Sequence, residues 1–199
     1  MSTPNVNLGC HNLKVDLSIE LSMALSHALL TALYESPCSG YDLAKKFDGT
    51  VGFFWSASHQ QIYRELTKLE EQSYISALLV QQSNRPDKKV YEVTEAGNDY
   101  LRKWIAQPSK VAAIKDELLV KLFAGDLVDP AVILSELEHH RAQHQDLLDT
   151  YKSIEQRFFS EACQLDVNRR YQYLTLRQGI RLETEWLAWC AEAITSLSQ

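Results

Sequence analysis

Residues 56–93, SASHQQIYRELTKLEEQSYISALLVQQSNRPDKKVYEV, constrain the fold more than any other stretch. They place a short amphipathic helix directly before two strands joined by a polar turn. Ile62, Leu66 and Leu69 recur at intervals of four and three, one face of a 3.6-residue period. Ser56 or Ser58 can cap the start, because a short hydroxyl accepts from an orphan amide of the first turn. Gln60, Arg64 and Thr67 fall opposite the apolar stripe, with Gln61 and Lys68 beside them. Such a face suits a major groove, where glutamine pairs with adenine and arginine with guanine through two hydrogen bonds. An ordinary surface helix carries the same residue types, so the helix alone leaves both readings open.

The following residues favour the first reading. Tyr74 and Ile75 lead into Leu78, Leu79 and Val80, a β-prone run. Ser83-Asn84-Arg85-Pro86-Asp87 is rich in turn formers, and Lys88–Val93 returns as a second strand. Arg85, Lys88 and Lys89 lie at or beside the tip. Arginine can enter a narrow minor groove and lysine can neutralise phosphates, although a plain surface hairpin carries solvated charges too. Thr94-Glu95-Ala96-Gly97 opens another helix. Upstream, Leu25, Ala28, Leu29, Ala32 and Leu33 mark a helix that ends at Ser36–Gly40, and Tyr41–Phe47 form a short one closed by Asp48-Gly49. Helix, helix, helix, hairpin, helix is the order of a winged helix-turn-helix.

Gln107-Pro108-Ser109 reads as a junction. Beyond it, Val111, Ile114, Leu118, Leu119, Leu122 and Phe123 predict a helix stopped near Gly125. Asp129-Pro130 starts the next, with Asp as N-cap and Pro in the first helical position. That helix runs to about Phe159, roughly 30 residues or about 45 Å at 1.5 Å each. Ile133, Leu137, His140, His144, Leu147, Tyr151, Ile154 and Phe158 alternate spacings of four and three along it, a heptad seam. A last helix, from about Asn168 to Leu197, carries Leu176, Ile180, Leu187, Cys190, Ile194 and Leu197, with Trp186 and Trp189 at the flank. Stripes this long need partners. The expected solution is an antiparallel pair that packs with the same pair of a second chain, presenting two reading helices to two half-sites. The expected fold class is therefore mostly α with a small β-hairpin: an N-terminal winged helix-turn-helix and a C-terminal long-helix antiparallel dimerisation domain. The expected boundaries are 1–23 for an N-terminal extension, 24–107 for the winged helix and 108–199 for the helical domain.

The quoted motifs resemble the PadR-type transcriptional regulators. The resemblance rests on LSHALLTALYESPCSGYDLAKKF and the VYEVTEAG strand-to-helix turn. GFFWSASHQQIYRELTKLEEQ followed by PDKKVYEVTEAG looks similar to the AphA-like branch. It covers about residues 24–199, with the specific motifs before about residue 105. It implies a dimeric transcription factor acting on double-stranded DNA. It also implies a third helix that reads DNA through Gln60, Gln61, Tyr63 and Arg64. Ser39, Gly40 and Tyr41 then correspond to the Ser-Gly-Tyr of the second helix, with Tyr41 near the DNA backbone. The wing corresponds to Arg85–Lys89. One departure is Gln72-Ser73-Tyr74, where the family often has a glycine ending the third helix.

Charge tempers this reading. The chain has 20 Lys and Arg against 26 Asp and Glu, a net charge of −6. What phosphate binding needs is local positive charge, here Lys45, Lys46, Arg64, Lys68, Arg85, Lys88 and Lys89. Glu65, Glu70, Glu71 and Asp87 lie close by, so modest non-specific affinity is expected. Cys10, Cys38, Cys163 and Cys190 are scattered without metal spacing and read as free thiols of a reducing cytoplasm. No cofactor or metal is expected. No phosphate loop, nucleophile elbow or metal motif suggests an enzyme. No apolar run is long enough to cross a membrane, and no signal pattern opens the chain. A cytoplasmic protein is expected. A small phenolic or hydrophobic effector is an alternative reading, with Trp104, Phe158, Tyr171, Tyr173, Trp186 and Trp189 as candidate pocket residues. His140 and His144, one turn apart, suggest either packed histidines or a pH-sensitive seam that weakens below about pH 6 as neutral rings become charged.

Overall fold

The computed structural model describes residues 25–47, 55, 57–81, 87–109, 111, 115–160 and 165–198. The chain divides into two compact units, Met1–Lys110 and Val111–Gln199.

In the first unit, α1 (residues 25–35) leads to a two-residue strand β1 (Cys38–Ser39) and α2 (Gly40–Phe47). Then come α3 (His59–Glu71), β2 (Ile75–Val80), β3 (Lys88–Val93) and α4 (Glu95–Ile105). The hairpin is antiparallel with Ile75 opposite Val93 and Val80 opposite Lys88. It is not alone: β1 pairs with β3, so the sheet order is β1-β3-β2. Two residues, Cys38 and Ser39, are too few to show as a strand in sequence periodicity. Leu29, Leu30, Leu33, Leu43, Phe47, Ile62, Leu66, Leu69, Ile75 and Leu101 are buried together as one core. The stripes of four helices thus converge, and α3 buries Ile62, Glu65, Leu66 and Leu69. The cap of α3 is Ser58, whose side chain accepts from Gln61 N–H while the Gln61 side chain accepts from Ser58 N–H at 2.8 Å. This reciprocal pair satisfies two orphan amides. Ser56 and the wing tip, with Arg85, lie outside the described residues.

The end of α3 explains the missing glycine. Tyr74 N–H donates to Leu69 O and Ser73 N–H to Glu70 O, both at 2.9 Å. This is the Schellman closure, which places the residue after the cap in the left-handed region. Ser73 has φ 59°. The geometry usually served by glycine is present, and a serine adopts it.

The second unit holds α5 (Glu117–Phe123), a 3-10 turn (Gly125–Leu127), α6 (Pro130–Phe158) and α7 (Val167–Leu197). Asp129 caps α6 and Pro130 opens it. α5 is shorter than the sequence predicts. Asp116 caps it by accepting from Leu118 and Leu119 N–H, so Val111 stands outside the helix and is almost fully exposed. Ile114 lies outside the described residues. α6 and α7 run antiparallel: Ile133 and Leu137 share a cluster with Ile194 and Ala193, His144 meets Glu183, and Tyr173 donates to Glu155.

The predicted single seam of α6 splits. Ile133, Leu137 and Tyr151 are buried within the unit, as is Leu148, which lies off the seam. Leu147 and Phe158 are exposed. A straight helix drifts about 20° per heptad against a 3.5-residue repeat, so a stripe across more than three heptads cannot keep facing one neighbour. On α7, Ile180, Glu183 and Cys190 turn inward, while Leu187 and Ile194 are half-buried. His140 is half-buried, with Nε2 3.8 Å from Glu136. His144 Nδ1 lies 2.5 Å from the buried Glu183 carboxylate, and its ring stacks on Trp186 at 4.9 Å between centroids. Neither a metal cluster nor a helix apolar enough to cross a membrane occurs among the described residues.

Candidate nucleic-acid interface

The buried stripe of α3 fixes what its other side presents. With Ile62, Leu66 and Leu69 held in the core, Gln60, Gln61, Tyr63, Arg64 and Thr67 are exposed and Lys68 is half-exposed. These are the residues the sequence places on the reading face. Gln61 has a second duty, because its side chain closes the capping box. Glu65 reverses its expected place. It is buried at 4% exposure, accepts from the Ser26 hydroxyl of α1, and pairs with Lys68 at 3.0 Å. Its spacing of three from Ile62 and four from Leu69 was the available signal.

The Ser-Gly-Tyr turn has a steric logic. A Cβ at Gly40 would lie 2.6 Å from the Tyr63 ring, so the start of α2 seats that ring only because it lacks a side chain. Tyr63 is thereby held between the two helices while 46% of it remains exposed. Tyr41, 67% exposed, and Lys45 project from α2 into solvent. Ser39 does not. It is buried, donates to Asp42 Oδ2 at 2.8 Å and accepts from Asp42 N–H at 3.2 Å. Its hydroxyl closes the first turn of α2 instead of standing free on the surface, because the β1–β3 pairing draws its backbone under the wing.

Every lysine of this group that lies on α3 or β3 has an acidic partner. Lys88 Nζ lies 2.7 Å from Asp42 Oδ2, which bridges the wing to α2. Lys89 Nζ lies 2.7 Å from Glu70 Oε2, which bridges the wing to α3, and 5.2 Å from the Tyr91 ring centroid. Hydrogen bonds from Lys88 and Ser39 hold the Asp42 carboxyl below its ordinary range. The bond to Glu70 raises Lys89 above its ordinary value. Asp42 was the residue sequence reasoning missed. The Ser39-x-x-Asp42 spacing, a capping pattern, was the sign of it.

Cys38 is buried behind this surface, and burial pushes its thiol up against the opposing pull of Lys46. A raised, buried thiol is a poor nucleophile. His59 is exposed at the start of α3.

The aromatic residues read as a candidate effector pocket are divided between the two units. Trp104 stacks on His27 at 4.2 Å, in line with Tyr100. Trp186 and Trp189 meet each other edge to face and pack against the Ile133–Leu137 cluster. Tyr173 bonds to Glu155 and stacks on Phe159. Phe158 and Tyr171 are exposed.

Comparison with known proteins agrees with this architecture. Residues 29–103 match the model of the PadR-like transcriptional regulator family, and residues 114–198 match that of the virulence activator alpha C-terminal region. The probable transcriptional regulator Rv1176c of Mycobacterium tuberculosis is 40% identical over 86% of this chain and 96% of its own length. The virulence activator AphA of Vibrio cholerae superposes with a TM-score of 0.72 at 32% identity, covering 87% of this chain and 98% of that one. PadR of Bacillus subtilis, crystallised with operator DNA, gives a TM-score of 0.75 at 24% identity over 87% of this chain and 99% of that one. The same protein with p-coumaric acid gives 0.70 at 22%, over 88% of this chain and 99% of that one. The chain belongs to the PadR-like family of transcriptional regulators and carries its DNA-binding fold.

Proposed function

We propose that the protein is a homodimeric, sequence-specific DNA-binding regulator. Gln60, Gln61 and Arg64 read base edges in the major groove. Tyr63, Tyr41 and Lys68 contact the backbone. The wing, through Arg85, Lys88 and Lys89, grips the adjacent minor groove or phosphates, and Lys45 adds charge from α2. The observation that carries this reading is the exposed polar face of α3, held outward by its buried stripe beside a lysine-bearing hairpin. The operator complex of the Bacillus subtilis relative supports it by likeness of fold.

The second unit supplies the dimer in this reading. Leu147 and Phe158 on α6 and Leu174 and Leu182 on α7 are exposed apolar side chains on helices otherwise packed together. A second copy of the pair would cover them and set two α3 helices on two half-sites. Whether binding represses or activates depends on the site's position at a promoter. A small-molecule effector is a further possibility raised by the p-coumaric acid complex of the same relative. A panel of phenolic acids that leaves the melting temperature unchanged would remove it.

The test of the main reading is a selection from random duplex, followed by anisotropy titration of the recovered sequence against excess random competitor. Arg64→Ala should cost about 1–3 kcal/mol on the recovered duplex and little on random DNA. Equal losses on both would sink the base-reading role. Sedimentation of the free protein should show a dimer, and a monomer at micromolar concentration would sink that half of the proposal.

A further inference from the structure

Two ion pairs cross from the wing to the helix-turn-helix, and both use lysines that the DNA-binding reading assigns to phosphate. Lys88 is paired to Asp42 and Lys89 to Glu70, each at 2.7 Å. The carboxylates belong to the elements that would face DNA themselves: Asp42 lies in the first turn of α2, and Glu70 near the end of α3. A lysine already matched to a carboxylate releases few counterions when a phosphate approaches, because its charge is largely neutralised before contact. A phosphate that draws the lysine away also meets the carboxylate it leaves behind.

We infer that Asp42 and Glu70 mask the wing lysines and so hold down the sequence-independent part of DNA binding. This rests on the DNA-binding reading above. The mask acts on any duplex, so it lowers the electrostatic share of binding and leaves a larger part of the affinity to the base contacts of α3. It also gives the acidic chain a reason to keep carboxylates where a phosphate-binding surface would discard them. Both partners are partly exposed, from 36% to 45%, so the pairs remain accessible to exchange with phosphate. The depressed Asp42 carboxyl and the raised Lys89 ammonium agree with charged partners on both sides. Ser39 adds a geometric element. Its hydroxyl donates to the same Asp42 oxygen that Lys88 contacts, which fixes the carboxylate toward the wing.

The experiment is a salt titration of binding to a random duplex, with wild type, Asp42→Asn, Glu70→Gln and the double variant. Asparagine keeps an acceptor for Ser39 and glutamine keeps one for Lys89, so the fold is preserved while the charge is removed. Each unmasked lysine should add about 0.9 to the slope of log K against log salt, and so about a further threefold loss of affinity between 50 and 200 mM salt. At low salt the variants should bind random DNA more tightly than wild type. Glu138→Gln, which removes a charge from an exposed position of α6, controls for net charge and should leave the slope unchanged. Adding Lys88→Gln to Asp42→Asn should return the slope to the wild-type value. An unchanged slope in Asp42→Asn and Glu70→Gln, with wild type binding normally, overturns the masking alone. An equal gain from Glu138→Gln also overturns it, since net charge would then explain the effect. Wild type binding no duplex at low salt overturns the DNA reading and the masking with it.

Discussion

Replacing Ser73 by glycine should stabilise the protein. Ser73 sits at φ 59° and closes α3, with its own N–H on Glu70 O and the next on Leu69 O. A non-glycine residue in the left-handed region costs roughly 1–2 kcal/mol, because its Cβ crowds the following carbonyl. Glycine removes that strain but orders a freer backbone, at roughly 0.5–1 kcal/mol. The expected gain is about 0.5–1 kcal/mol. The serine side chain is exposed, so little is lost with it. The tertiary bond from Thr94 Oγ1 to Ser73 O, at 2.7 Å, uses the backbone and survives. In a domain of this size 1 kcal/mol moves the melting temperature by about 4–8 °C, so Ser73→Gly should raise it by about 2–8 °C. Thermal unfolding followed by circular dichroism at 222 nm, or by calorimetry, reads this directly. Ser73→Ala keeps the strain and should give no gain. If Ser73→Gly melts at or below wild type, the left-handed closure of α3 is wrong.

Gly97→Ala should act in the opposite sense: its Cβ would lie 2.1 Å from Tyr74 O, the acceptor of Thr94 N–H, and 2.8 Å from Val93. Overpacking against backbone predicts a loss of about 1–3 kcal/mol by urea denaturation, and no loss would show that the wing-to-α4 corner has room to spare. Glu65→Leu removes the buried acceptor of the Ser26 hydroxyl and the carboxylate that pairs with Lys68, and should destabilise by about 1–3 kcal/mol, with an unchanged denaturation midpoint counting against the buried carboxylate. Asp42 gives a pH signature. Its folded carboxyl lies below the ordinary value of 3.8, so its contribution is fully present above that value and disappears as pH falls through the folded one. The melting difference between wild type and Asp42→Asn should therefore hold from neutral pH to about 5 and vanish in stronger acid. A difference that instead shrinks between pH 8 and 6 would assign it to another group.

Most of the first unit was legible because its information is local. The spacing of Ile62, Leu66 and Leu69 orients α3, and Thr94 caps α4 by accepting from Gly97 N–H, as the sequence suggests. What escaped was pairwise. No pattern in one segment tells that Cys38-Ser39 lies beside Val90-Tyr91, that Asp42 reaches Lys88, or that Glu65 faces Ser26 across 39 positions. Each of these is a contact between elements, and each changes the chemistry of a residue whose position on its own element was read correctly. Lys88 is the sharpest case: correctly placed on the wing, it is read as a free cation when its neighbour three elements earlier is unseen.

The same reasoning revises the histidines of α6. A seam of neutral rings facing a second chain would weaken on protonation, and that was the basis for expecting a dimer sensitive to acid. His144 has a different neighbour. Its Nδ1 meets Glu183 of the same chain, on the helix packed against its own, and the ring lies flat on Trp186. The contact ties α6 to α7 within one chain, where a seam position would have faced a second one. Glu183→Gln, by removing the buried carboxylate, should destabilise the helical pair by about 1–3 kcal/mol in urea denaturation, with the dimer followed separately by sedimentation. If the denaturation midpoint is unchanged in the variant, His144 and Glu183 do not act as a pair.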